Sequence, residues 1–374
     1  MRVNTFLVSL IAILTISSCG ILTKENPEQE IIDELQNKFY FGTALNEYQL
    51  NGTDTIAVKV VKRYFNSVVA ENVMKSEVIH PLENRYDFTE SDKFIDFAQA
   101  NNMYTVGHCL IWHSQCAPWF FVDSIGNQVT KDELINRIKE HVYTIVSRYK
   151  GKVNCWDVCN EIVDENGNYR NSKFYEILGT EYISLAFTVA SEADPEAELL
   201  LNDYDMANPK KRAKYIEIVN MLRDKGIKIS GIGMQSHTRI TTDLTEWENS
   251  IIAFRLQGLD VHITELDLTV LPIPTELNSA DVSMREEYKE EYNPYKNFLP
   301  DSIQKIFDAK YFKIFDIAAK NGVKRVTLWG VNDGWSWRND WPIDGRTDYP
   351  LLFDRVYRPK PILYQIAKSY KNLK

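Results

Sequence analysis

From Phe39 to the C-terminus, short apolar runs alternate with longer stretches in which apolar residues recur at helical spacing. Eight runs read as strands: FYFGTAL (39–45), SVVAEN (67–72), YTVGHCLIWH (104–113), VNCWDVCNE (153–161), ELLLNDY (198–204), GIGMQSH (231–237), DVHITELD (260–267) and RVTLWGV (325–331). Between them, segments such as KDELINRIKEHVYTIVSRYK and SIQKIFDAKYFKIFDIAAKNG carry the helical period. Strand and helix in alternation predict parallel pairing. Eight such units predict one closed (β/α)8 TIM barrel over residues 38–374, with no second domain. An irregular insertion, Leu271 to Pro300, follows the seventh strand and predicts a long loop shaping the barrel's C-terminal face.

The polar positions break this pattern in one place, the strand ends. Glu71 with Asn72, His113, Asn160 with Glu161, Asn202, Gln235 with His237, and Glu265 with Asp267 all close apolar runs, and Trp329 sits near the end of the last. A buried parallel strand has no structural use for a carboxylate there, because an unpaired buried charge is costly. In a barrel those ends converge on one pocket. Glu161 and Glu265, 104 residues apart, end the fourth and seventh strands. Alone, each could form a salt bridge or cap the next helix. Together they are the equipment of glycoside hydrolysis, in which one carboxyl protonates the leaving oxygen and the other attacks or activates water. Trp112, Trp119, Trp329, Trp335 and Trp337 offer faces for sugar rings, or core packing.

Composition adds limits. With 44% hydrophobic and 25% charged residues the chain can bury a sizeable core, and its 8 Trp, 20 Tyr and 17 Phe are the notable excess. A net charge of -9 argues against a nucleic-acid partner. The opening MRVNTFLVSLIAILTISSCG has an early positive charge and an apolar run from Phe6 to Ile16, too short to span a bilayer comfortably. Ile16-Ser17-Ser18-Cys19 resembles the lipobox of bacterial lipoproteins. The expectation is a signal peptide over 1–18, lipidation at Cys19, a solvated tether over 19–37, and an exported protein held on a membrane, in the periplasm or at the cell surface; the alternative is plain secretion with cleavage nearby. Cys155 and Cys159 lie too far apart on one strand to bridge each other. A bridge to Cys109 and free buried thiols both remain open. No CxxC, HExxH or HxH cluster appears, so no metal and no cofactor are expected. His141, in mid-helix, reads as packing, and Asp157 as a buried partner inside the barrel.

The strings GHCLIWHSQCAPW, WDVCNE, NDYD, GIGMQSH, HITELD and WGVNDGWSW, with the tail GRTDYPLLFDRVYRPKP, resemble glycoside hydrolase family ten, the endo-β-1,4-xylanases. The resemblance runs in order from about Phe39 to the C-terminus. It implies internal cleavage of xylan with retention, with Glu161 as acid/base and Glu265 as nucleophile. It implies that Asn160 bonds the substrate 2-hydroxyl, that His237 backed by Asp267 orients Glu265 and keeps it ionised, and that Gln235 sits near the acid/base pair. Glu71, Asn72 and Lys75 in ENVMKSE would hold sugars on the non-reducing side, with His113, Trp119 and Asn202 as further subsite residues. Trp329 and Trp337 would floor and wall the cleft. A monomer whose partner is the polysaccharide is expected. Cys116-Ala117, Asp205 and Cys159 depart from the usual pattern, the first two at the cleft's rim. Two other readings keep the barrel: a hydrolase of cellulose, mannan or mixed-linkage glucan, and a surface glycan-binding lipoprotein, which would have lost a carboxylate.

Overall fold

The computed structural model describes residues 27–274 and 280–371. The expected signal peptide, Cys19 and the start of the tether lie outside the described residues. The strands are β1 (Tyr40–Leu45), β2 (Ser67–Ala70), β3 (Tyr104–Trp112), β4 (Cys155–Asn160), β5 (Glu198–Asp203), β6 (Gly231–Met234), β7 (His237–Arg239), β8 (Asp260–Thr269) and β9 (Arg325–Leu328). Each of β1 to β6 pairs with its neighbours in parallel, β6 pairs with β8, β8 with β9, and β9 returns to β1. This is the closed eight-stranded (β/α)8 barrel that the alternation predicts. Helices cover its outside, and their starts follow local chemistry. Thr130 Oγ1 accepts from the amide of Glu133 at 3.2 Å, and Asn208 caps a helix that begins with Pro209.

The run 231–237 is not one strand. β6 stops at Met234, Ser236 turns back with φ +64°, and β7 restarts beside the far end of β8, pairing His237 with Asp267. The break sets the His237 side chain against β8 rather than against β5. The tether expectation also meets a helix: Pro27–Lys38 is α-helical, with Ile32 and Leu35 buried against the barrel. The acidic residues there mask a helical apolar period that ends in buried Phe39. From the long loop after β8, Ala280 and Val282 reach the cavity that holds both glutamates. Cys109, Cys116, Cys155 and Cys159 are all free thiols.

Two buried histidines meet under the loop after β3. His80 Nδ1 and His141 Nδ1 are 3.0 Å apart, while His80 Nε2 contacts the carbonyl of Glu83 at 3.0 Å and His141 Nε2 that of Leu110 at 3.1 Å. His141 is thus buried packing with a polar purpose.

Close approach between strands demands glycine at two places. A Cβ on Gly233 would stand 2.3 Å from Oδ1 of Asn202, and one on Gly107 would stand 2.2 Å from the ring of buried Trp156. Both glycines leave room for side chains on the strands that end in the polar cluster. Gly107→Ala is therefore expected to overpack the β3–β4 seam and cost about 1–3 kcal/mol. Urea unfolding followed by circular dichroism checks this, and an unshifted midpoint would contradict it.

Candidate active site

Glu161 is the residue after β4, where the chain leaves the barrel with φ +55°, a left-handed conformation that turns its side chain back over the strand ends. Its amide donates to the carbonyl of Asn202 at 2.8 Å, and Arg170 Nε donates to its carbonyl at 2.8 Å, so the backbone is held from both sides. Its carboxyl accepts from neutral donors: Trp112 Nε1 at 2.8 Å, Gln235 Nε2 at 3.0 Å and Asn160 Nδ2 at 3.2 Å. Burial, with the nearby Asp203 carboxylate and against the bonds from Gln235 and Trp112, pushes this carboxyl up to about 7.

Glu265 sits within β8 and is equally buried, yet its surroundings carry charge. Its Oε1 accepts from Asn202 Nδ2 at 2.8 Å, and its Oε2 lies 3.2 Å from His237 Nε2. His237 Nδ1 contacts Asp267 Oδ2 at 2.8 Å, and the same oxygen accepts from Trp337 Nε1 at 2.7 Å. Arg338 closes the row, with Nε 2.9 Å and Nη2 2.8 Å from Asp267 Oδ1. Burial favours the neutral forms, but opposite charges alternate along the row. Against burial, Asp267 and Glu265 raise His237 to about 9, and Arg338 and His237 bring Asp267 down to about 2. For Glu265, burial raises, but His237 and Asn202 outweigh it, and the carboxyl falls below its ordinary value.

The two halves share donors. Asn202 Nδ2 donates to Asn160 Oδ1 at 2.9 Å as well as to Glu265, while Thr264 Oγ1 donates to Asn202 Oδ1 at 2.7 Å. One cavity is lined by Lys75, His108, Trp112, Asn160, Glu161, Gln235, His237, Glu265, Trp329 and Trp337. Lys75 Nζ bonds Asn72 Oδ1 at 2.8 Å and Gln115 Oε1 at 2.7 Å, and lies over the Trp112 ring. Burial pulls the Lys75 ammonium below its ordinary value, while it raises Glu71, next to Asn72 at the rim. Asp157 pairs with His108 at 2.9 Å beneath the cavity floor.

Two expected site residues stand apart. His113 lines a smaller cavity on the other side of Glu161, and burial holds its imidazole down at about 4. Trp119 is outside both cavities: its indole donates to the carbonyl of His80 at 2.8 Å and stacks on Phe120 at 4.1 Å. Sequence reasoning missed Arg338, the cation behind Asp267, and read Trp112 as a sugar-facing or core ring rather than as a donor to Glu161. Arg338 carries no signal beyond adjacency to Trp337, whereas Trp112 lies on a predicted strand two positions before the polar turn.

Among the described residues, Cys155, Glu198 and His262 bring ligand atoms within 4.8 Å of one another at the opposite ends of the strands. They do not suit a cation. Arg325 Nε donates to His262 Nδ1 at 3.1 Å, which leaves the proton on Nε2, and Lys324 already sits 2.5 Å from Glu198.

A barrel whose cavity pairs a proton-holding carboxyl with an ionised one, between tryptophans, is a glycoside hydrolase in architecture. The profile of glycosyl hydrolase family 10 matches residues 31–369, and the chain belongs to that family. Endo-1,4-beta-xylanase A of Xylanibacter ruminicola is 46% identical over 342 residues, covering 91% of this chain and 93% of the relative. Beta-1,4-xylanase of Dictyoglomus thermophilum is 37% identical over 372 residues, covering 97% and 98%. The solved structure of an endoxylanase from a sugarcane soil metagenome superposes with TM-score 0.88 at 39% identity, covering 91% of this chain and 99% of that one.

If the charge row sets these proton affinities, Asp267→Asn should bring His237 from about 9 toward the ordinary imidazole value. NMR titration of the His237 ring reads the change, and an unmoved titration would refute the row.

Proposed function

We propose that this protein hydrolyses internal β-1,4-xylosidic bonds of xylan with retention of configuration, by double displacement between Glu265 and Glu161. The observation that carries the proposal is the split in proton affinity between two carboxyls in one cavity. Glu161 holds a proton near neutrality and donates it to the departing glycosidic oxygen. Glu265, ionised beside the His237 cation, attacks the anomeric carbon as that bond breaks, and a glycosyl ester forms. Esterification removes the negative charge of Glu265, one of the influences that raise Glu161. Glu161, left as a carboxylate by that donation and relieved of one influence that raises its proton affinity, takes a proton from water as the water oxygen bonds to the anomeric carbon, the ester bond to Glu265 breaks, and the Glu265 carboxylate is regenerated.

Asn160 faces Glu161 and is placed to meet the 2-hydroxyl of the reacting sugar. Glu71, Asn72 and Lys75 offer polar contacts to the units before it, and Trp329 and Trp337 offer flat apolar walls. The xylanase names of the relatives support xylose as the sugar.

The site works where polymer is met, outside the cell. The lipobox-like stretch ending at Cys19 supports export and membrane attachment through a lipid. The protein is taken to act as a monomer. Cys19→Ser should move it from the membrane fraction to the soluble fraction, and continued sedimentation with membranes would overturn the anchor.

Glu265→Ala should abolish xylan hydrolysis while the fold persists. Glu161→Ala should lose about 10²–10⁴-fold on xylan but much less on an aryl xylobioside, whose leaving group needs no proton. Azide should rescue the Glu161 variant with retained product. Wild-type turnover by either variant, or faster release from carboxymethylcellulose than from xylan, would reject the assignment. The pH profile has a definite sign. Activity needs Glu265 ionised and Glu161 protonated, so kcat/KM should fall below the ordinary carboxylate range and again as pH rises through about 7.

A further inference from the structure

An aromatic pair stands in solvent beside the cavity. Trp335 is 50% exposed and Tyr48 is 40% exposed, with ring centroids 5.1 Å apart at 33°. Large exposed rings are unfavourable in water unless something covers them. The Trp335 ring is held at its polar end, and Tyr48 is held through its backbone, whose amide donates to Asn46 Oδ1 at 3.1 Å. Trp335 Nε1 donates to Tyr357 Oη at 2.9 Å, and Tyr357 donates to Asp54 Oδ2 at 2.5 Å. Asp54 also accepts from Gln49, the residue after Tyr48, at 3.3 Å. The Trp335 amide is capped by Asn332 Oδ1 at 3.1 Å. The pair is pre-organised without contributing to the buried core.

Its placement joins it to the cavity. Tyr48 follows β1, and the Asn46 side chain that caps its helix also bonds Glu71, whose amide donates to the carbonyl of Leu45 at 2.8 Å. Trp335 lies on the segment that runs from Trp329 to Trp337, both cavity walls. The surface is therefore continuous with the Glu71–Asn72–Lys75 side of the cleft. Glu47 and Glu71 stand next to it, so a neutral sugar suits it better than a uronic acid.

We propose that Tyr48 and Trp335 form a distal sugar platform that takes a neutral xylosyl unit of the polymer beyond those held at Glu71, Asn72 and Lys75, and so favours long chains. The platform rests on the xylan reading above. A pyranose ring lays its C–H face on an aromatic ring, and rigid partners lose little entropy on binding it.

The test compares kcat/KM for xylohexaose and xylotriose in wild type, Trp335→Ala, Tyr48→Ala and Trp335→Phe. In the alanine variants the hexaose-to-triose ratio should fall about fivefold to tenfold, while phenylalanine, which keeps a ring, should restore most of it. An unchanged ratio, or an equal loss on both lengths, overturns the platform. A wild type inactive on both oligosaccharides but active on another glycan would instead overturn the xylan reading. In a Glu265→Ala background, xylohexaose should quench indole fluorescence more than the same variant carrying Trp335→Ala allows, and equal quenching counts against the platform.

Discussion

The buried carboxylate of Glu265 is the constraint around which the rest of the site is built. Removing an ion from water costs several kcal/mol even after relaxation, and only close opposite charge with good hydrogen bonds offsets it. His237 supplies that charge, but an imidazolium buried alone would be as costly as the carboxylate. Asp267 stabilises it, and Arg338 stabilises Asp267 in turn. The break between β6 and β7 follows from the same need, because only a strand restarted beside β8 sets His237 against Asp267.

Glu161 occupies the same cavity under the opposite rule. Its carboxyl has dipoles from Trp112, Gln235 and Asn160 but, among the described residues, no cation within bonding distance, and Arg170 spends its guanidinium on the backbone carbonyl and Tyr204. Burial first, and then the negative field of Asp203, which is paired with Lys211 at 2.8 Å, favour the protonated form. Two identical side chains thus differ in charge because one strand end is met by a salt-bridge row and the other by neutral donors.

Much of this was legible in the sequence, for a physical reason. Parallel strands buried on both faces are written as apolar runs, so a carboxylate or amide at their ends stands out, and the barrel brings those ends together. That logic finds Glu161, Glu265, Asn160, Asn202, Gln235 and Asp267. It fails where position depends on chain reversal. Arg338 reaches Asp267 from a loop about 70 residues along, and nothing in its spacing announces a counter-ion. It fails again at Pro27–Lys38, where charge hides a docked helix, and at Trp119, whose motif match says nothing of the His80 carbonyl that holds its indole.

The two histidines beneath Trp119 pose a problem of hydrogen arithmetic. Their three contacts, one between the rings and one from each ring to a carbonyl, need three hydrogens, and two neutral imidazoles bring two. A neutral pair must leave one contact with lone pairs facing. A third proton would complete every bond, yet burial and the neighbouring ring hold the His141 affinity near 3. The pair is an odd-electron puzzle's protonic cousin, a site whose bonding is complete only in a charge state its surroundings resist. That unsatisfied count sits directly under the segment that carries Trp119, whose indole donates to the carbonyl of His80.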